Sequence, residues 1–293
     1  MKHIVGAALA AFALLSCNAT QTEAKPLKPA LWKVSDADTT IYLFGTIHLL
    51  PKELDWQSRK MDRAIRASDS LVLETVLDKN PAETGAVMSR LGMSPGLPPL
   101  LDRVPADKRD ILKRLVTKSG VPLTVLDRFE TWAAALTLAS AGMRDLPVSV
   151  EHGSEAVLSK RFATDKKAVM GLETPAQQLG FFDALPEAAQ REFLASIAED
   201  DSSARAQFEA MIAAWGSGNV KKIAETFDDE LKLTPELADA LLKKRNVNWS
   251  NWITTRMAQP GTVFLAVGAG HLAGSGSVND LLTKRGLRVS RVQ

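Results

Sequence analysis

One cysteine in 293 residues excludes a disulfide framework and any CxxC metal or redox site. Four histidines confine an imidazole-based site to very few candidates. No block of five or more basic residues occurs, and 36 Lys plus Arg nearly balance 34 Asp plus Glu at a net charge of +2. A nucleic-acid-binding tail is therefore not expected, and no nucleic-acid partner is. Beyond the first fifteen residues, no apolar run nears the roughly 20 residues of a transmembrane helix. Low-complexity tracts are also missing. With 45% apolar and 24% charged residues, the chain is neither disordered nor fibrous. It is long enough for one large domain or two small ones.

What is present begins with a leader. Lys2 supplies a positive start, and Ile4 to Leu15 form an apolar run too short to span a bilayer as a helix. The run ends in Leu14-Leu15-Ser16-Cys17, which resembles a bacterial lipobox, with Leu15 a less usual residue for its place. Cys17, the one cysteine, stands where lipidation needs it. The competing reading is a secretory leader cleaved after Ala19 or Ala24. Either way the expectation is export, with residues 1–17 as the leader and 18–30 as a tether. The lipid reading adds anchorage at the periplasmic face of a bacterial membrane.

From residue 31 the patterning predicts an α/β fold. A hairpin is expected from Leu31–Val34 and Thr40–Ile47 across Ser35-Asp36-Ala37-Asp38. Ile41-Tyr42-Leu43-Phe44 is apolar throughout, as in a strand buried on both faces. Further strands are expected at Leu71–Leu73, Ala168–Met170, Thr262–Val267 and near 287–292. Helices are expected at 58–67, in several pieces between about 81 and 164, and near 277–285. Residues 174–258 read as entirely helical. Phe208, Met211, Ile212 and Trp215 show the spacing of a buried helical face. Alternating strands and helices indicate a central mixed or parallel sheet with flanking helices. The helical run over about 174–260 reads as an all-helical cap inserted into a single domain covering 31–293.

The strand ends carry the chemistry. Gly45-Thr46-Ile47-His48 follows one strand and Gly268-Ala269-Gly270-His271 another, so GxxH occurs twice. Leu-Glu-Thr also occurs twice, placing Glu74 and Glu173 at the ends of two more strands. In open α/β sheets, ligands bind beyond the carboxyl ends of the strands. Imidazole nitrogen and carboxylate oxygen are the usual ligands of zinc, manganese or cobalt. His48, Glu74 and His271 are thus the candidate metal ligands. Glu173 is the candidate general base or a further ligand. The competing readings are buried histidines bonded to backbone, and glutamates serving helix starts, most pointedly Glu173 before Thr174-Pro175.

LWKV, YLFGTIHLLP, LVLET, GLETPAQQL, KKRNVNW and FLAVGAGHLAGSGSVNDLLTKRG, in this order and spacing, resemble the TraB/GumN family of the Tiki-like superfamily. The resemblance covers most of residues 31–293 and is weak between about 78 and 165. It places the family's GxxH motifs on Gly45–His48 and Gly268–His271, its strand glutamate on Glu74 and its Leu-Glu pair on Leu172-Glu173, followed by Gln177. Its Arg-Asn pair falls on Arg245-Asn246, which as bare sequence reads as part of a basic helix surface, Lys243-Lys244-Arg245. The resemblance implies a hydrolase of peptide or other amide bonds that uses a divalent metal. Arg245 and Asn246 would then orient substrate or stabilise an oxyanion.

Other motifs are set aside. Gly268 to Ala273 mimics GxGxxA, but the acidic residue a dinucleotide fold needs some 20 positions later is missing. Gly274-Ser275-Gly276-Ser277 is not a nucleophile elbow. His152 reads as a loop or helix-start residue. Two rival functions stay open: a lipoprotein that binds a metal or haem without turnover, and a metal-free esterase-type hydrolase with His48 or His271 as base.

Overall fold

Leu31–Ser35 and Thr39–Thr46 pair antiparallel as β1 and β2. Asp36 closes their turn by accepting the N–H groups of Asp38 and Thr39 on its carboxylate. The computed structural model describes residues 27–52, 54–76, 81–198, 201–232 and 235–293. The leader, Cys17 and the tether as far as residue 26 lie outside the described residues. Ser70–Thr75 is β3, Ala168–Glu173 β4, Gly261–Gly268 β5 and Val289–Arg291 β6. The six strands form one mixed sheet in the order β4-β3-β5-β2-β1-β6. β4, β3, β5 and β2 run parallel, and β1 and β6 add an antiparallel edge. The expected α/β fold with a central mixed sheet and flanking helices is what the chain adopts.

Helix α1, Arg59–Ala67, links β2 to β3 and starts on the Ser58 hydroxyl, which accepts the Met61 N–H. Between β3 and β4 lie α2 (Pro81–Leu91), α3 (Arg109–Ser119), α4 (Leu123–Leu126), α5 (Thr131–Gly142) and α6 (Ser154–Thr164). Between β4 and β5 lie α7 (Pro175–Asp183), α8 (Glu187–Ile197), α9 (Asp201–Gly216), α10 (Val220–Lys232), α11 (Pro235–Ala238) and α12 (Lys244–Arg256). A π-helical stretch, Asp239–Lys243, joins the last two. Helix α13, Val278–Lys284, precedes β6. Among the described residues, no helix is long and apolar enough to cross a membrane.

The side-chain alternation of the strands divides the core between the two faces of the sheet. Phe44, Leu71, Leu73 and Phe264 meet Trp56, Phe162 and Trp215 on one face. Ile41, Leu43, Val72, Leu265 and Val267 meet Trp249, Ile253 and Leu282 on the other. Met211, Ile212 and Trp215 pack on the first face as the helical stripe predicts, with Phe208 half-buried at its end. The Trp215 indole N–H also donates to the Gly45 carbonyl at 2.7 Å. Between β4 and β5 the described residues form helices joined by short turns, as expected, and these pack in three places. Helix α8 joins α3, α4 and α5 around a separate core of Leu112, Leu115, Leu126, Leu138 and Leu194. Helices α9 and α10 cover the first face of the sheet, and α12 covers the second.

Candidate functional site

The parallel register sets Thr46 beside Gly268 and Thr75 beside Glu173, so four strands end along one edge. The two GxxH loops touch there. A side chain at Gly45 would come within 3.0 Å of the Ala269 Cα, and one at Gly268 within 3.1 Å of the Glu74 carboxylate. Both glycines serve close approach rather than a left-handed backbone.

From this edge Glu74 and Glu173 reach toward α12, which presents Arg245, Asn246 and Trp249 on its buried side. Arg245 stands at the centre. Its Nη2 donates to Glu74 Oε2 at 2.6 Å and to Glu173 Oε2 at 2.8 Å, and its Nε donates to Glu173 Oε1 at 3.0 Å. Its Nη1 donates to the Leu241 carbonyl in the π-helical stretch at 3.1 Å. Two aromatic rings flank the guanidinium, Trp249 at 4.6 Å and Phe181 at 5.6 Å. The expected surface run is thus broken. Lys243 and Lys244 are exposed, and Arg245 turns inward at 7% exposure.

Burial alone would lower the Arg245 pKa, but the Glu173 hydrogen bonds and the Glu74 charge outweigh it and raise it. Burial likewise pulls the Glu74 carboxyl upward. His271, once protonated in acid, Arg245 and the Gly268 N–H at 2.7 Å outweigh that and hold it at about 2.

Asn246 Nδ2 donates to the Gly276 carbonyl at 2.9 Å, which turns its Oδ1 toward His271. His271 Nδ1 lies 2.6 Å from that oxygen, so Nδ1 carries the proton and Nε2 keeps its lone pair. Nε2 lies 3.3 Å from Arg245 Nη1 and 3.6 Å from Glu74 Oε1. Burial lowers the His271 pKa to about 4, against the pull of Glu74, so the ring is neutral at ordinary pH. Its face packs on Trp249, with ring centroids 4.3 Å apart.

His48 stands apart from this cluster. Its Nδ1 pairs with Glu155 Oε1 at 2.7 Å, and its side chain is 69% exposed. The Glu155 contact raises its pKa to about 9 against partial desolvation, with the charges of Glu155 and Glu74 adding to the rise. His152 serves its own loop, with Nδ1 2.7 Å from the Ser149 hydroxyl. Glu173 does not cap the helix that follows it. Thr174 and Gln177 form the capping box of α7, with the Gln177 N–H donating to the Thr174 hydroxyl and the Thr174 N–H to the Gln177 carboxamide oxygen.

The structure thus joins Glu74, Glu173, Arg245, Asn246 and His271, and holds His48 with Glu155 at the rim. Three contributors were not anticipated. Gln178 Nε2 donates to Glu173 Oε2 at 3.2 Å and to Glu74 Oε2 at 3.4 Å. Trp249 Nε1 donates to Glu173 Oε1 at 2.9 Å. Glu155 is the third. The i, i+4 spacing of Arg245 and Trp249 was a legible signal for the indole; Gln178 and Glu155 gave none. Glu173 and Trp249 also line a cavity of about 430 Å³ with Gln177, Phe181, Asn248 and Trp252.

Residues 30–291 match the TraB/PrgY/gumN family. The chain belongs to that family. It is 21% identical over 258 residues to the uncharacterized protein YbaP of Escherichia coli (strain K12), covering 87% of this chain and 92% of that one. The uncharacterized protein YbaP of Shigella flexneri is 21% identical over 245 residues, covering 82% and 87%. No solved structure matches the chain.

The metal expected at this edge can be set against the donors. Among the described residues, no three His, Cys, Asp or Glu side chains gather as a metal site. The cation between Glu74 and Glu173 is the Arg245 guanidinium, and His48 is engaged with Glu155. As placed, these residues do not fit a divalent metal.

Proposed function

We propose that the chain is a hydrolase of peptide or other amide bonds, with its own side chains activating the water. The observation that supports this reading is the buried, neutral His271 ring. Asn246 holds its tautomer, and its Nε2 lone pair faces Glu74 and Arg245. A positioned imidazole of fixed tautomer is what general-base chemistry needs. Nε2 takes a proton from water as the water oxygen bonds to the substrate carbonyl carbon. Glu74, ionised at neutral pH, steadies the imidazolium that forms. The positive charge of Arg245, next to Nε2, offsets the negative charge that develops on the carbonyl oxygen. As the C–N bond breaks, Nε2 returns the proton to the leaving nitrogen. The adjoining cavity, walled by Phe181, Trp249 and Trp252, suits an apolar part of the substrate. Export as a lipoprotein through Cys17 belongs to the same reading, and would put this activity at the envelope surface.

The test is a screen of peptide, amide and ester substrates with the wild-type protein and His271→Gln. Each would be assayed in chelator and after loading with zinc, manganese or cobalt. Turnover that survives chelation and is lost in the variant is the expected result. Turnover that requires an added metal would overturn the metal-free mechanism. Absence of any turnover, with metal or haem bound instead, would favour a binding role.

A further inference from the structure

We infer that Glu155 is a positioning residue for His48, fixing the ring through Nδ1 so that Nε2 is offered to an acceptor oxygen of the substrate at the rim of the cluster. The use of Nε2 rests on the hydrolase reading above. The positioning stands by itself.

The start of α6 is built onto the backbone before His48. Ser154, wholly buried, donates its N–H and its hydroxyl to the Ile47 carbonyl, both at 3.1 Å, and accepts the Ile47 N–H at 2.8 Å. Gly153 backs onto the His48 carbonyl so closely that a Cβ would lie 2.1 Å from its oxygen. Its φ of −54° shows that space, not backbone conformation, demands the glycine. This clamp delivers Glu155, in the first turn, to the imidazole of His48 across 107 residues of sequence.

The Glu155 carboxylate has no evident task in the fold. Both oxygens are buried, and among the described residues neither accepts a hydrogen bond of ordinary geometry, so the contact with His48 is an ion pair. A buried carboxylate is costly without a partner. The 2.7 Å approach of His48 Nδ1 supplies one. An exposed ion pair would be worth little, but here the carboxylate is 18% exposed and only the ring is open to solvent. Holding the ring by Nδ1 leaves Nε2 as its outward polar atom. The Gly45–His48 loop lies against the Gly268–His271 loop, where a Cβ at Gly45 would meet the Ala269 Cα at 3.0 Å, which keeps His48 beside the cluster. His271 and His48 thus share one feature, Nδ1 against an oxygen, while Nε2 of His271 faces Arg245 Nη1 at 3.3 Å. One lies at the buried centre and the other at the rim.

The experiment is nitrogen-15 NMR of the histidine rings in the purified protein, with His48 assigned by His48→Ala. It would compare the wild type with Glu155→Gln and Glu155→Leu. Both variants should stay folded by circular dichroism, because Ser154 rather than Glu155 holds α6 in place. The His48 signals should move in both toward those of a free imidazole. Unchanged His48 signals in the folded variants would overturn the positioning role. With a substrate from the screen, Glu155→Leu and His48→Ala should each raise KM about tenfold, as loss of one charge-assisted hydrogen bond does, with kcat held within about twofold. The double variant should be no worse than either single one. Shifted NMR signals with an unchanged KM would overturn the substrate contact alone. Failure of the hydrolase reading would show as absence of turnover in the wild type, with the NMR result intact.

Discussion

His271 and Asn246 are joined by a contact of 2.6 Å in which the amide can offer only its oxygen, because its nitrogen is committed to the Gly276 carbonyl. This fixes the protonated nitrogen of His271 without any charge on the partner. Asn246→Ala should release the ring and let the other tautomer compete. The expected result is a kcat lower by on the order of 100-fold, the scale of general acid–base catalysis, with KM little changed. Asn246→Asp keeps the acceptor oxygen and should retain more of the rate. Equal losses in the two variants would mean that Asn246 supports packing rather than the tautomer.

Arg245 lies between two carboxylates, and the three charges are nearly sealed from solvent. Removing one member of a buried ion network costs about 3–5 kcal/mol, because the partners are left unpaired. Arg245→Met should therefore lower the melting temperature by roughly 10 °C in a chain of this size. Replacing all three as Glu74→Gln, Arg245→Met and Glu173→Gln should recover part of that loss. Calorimetry of both variants checks this. A triple variant less stable than Arg245→Met would show that the carboxylates stabilise the fold without the arginine.

The sheet and its edge were legible because the strands are strongly apolar and each ends in a glycine or polar motif. Ile41 to Phe44 and Val263 to Val267 could hardly be anything but buried strands, and their GxxH exits fall side by side once the strands pair. Two GxxH motifs nevertheless gave two environments. Gly268 leads into a short 3-10 turn that folds His271 under Trp249, whereas His48 continues into an open loop. The inward turn of Arg245 was hidden by Lys243 and Lys244, which have the composition of a solvated face. A π-helical stretch before α12 is not visible as a residue pattern. Glu155 was hidden for a different reason: its partner is 107 positions away, and the intervening helices have no periodicity that fixes where α6 returns. The packing of 174–260 was hidden likewise, since a helical stripe names a buried face but not the surface that buries it.

Cys17 lies outside the described residues, and its proposed lipidation is open to direct test. Expression with labelled palmitate should mark the wild type and not Cys17→Ser, and the variant should move from the membrane fraction to the soluble one. Label retained in Cys17→Ser, or none in the wild type, would replace the lipoprotein with a cleaved secretory leader.

The two histidines predict opposite pH responses. His271 has a folded pKa of about 4, below the ordinary 6.5. As pH falls below 6.5 the unfolded chain takes up a proton that the folded chain refuses until about 4, so stability falls across that interval and then levels. A shift of this size corresponds to about 3 kcal/mol. Glu74, held at about 2 against an ordinary 4.5, stabilises fully above 4.5 and loses that contribution as pH falls through 2. His48, raised to about 9, contributes stability below 6.5 that is lost as pH rises through 9, in an amount reduced by its solvent exposure. Stability should therefore peak near pH 6.5. The same ionisations shape the rate: kcat should fall as His271 protonates near pH 4, and KM should rise as His48 loses its proton near pH 9. Urea denaturation across pH 3.5 to 9 should show the slope between 6.5 and 4 disappear in His271→Gln and persist in His48→Gln. If both variants kept that slope, the neutral buried imidazole, and with it the assigned base, would be lost.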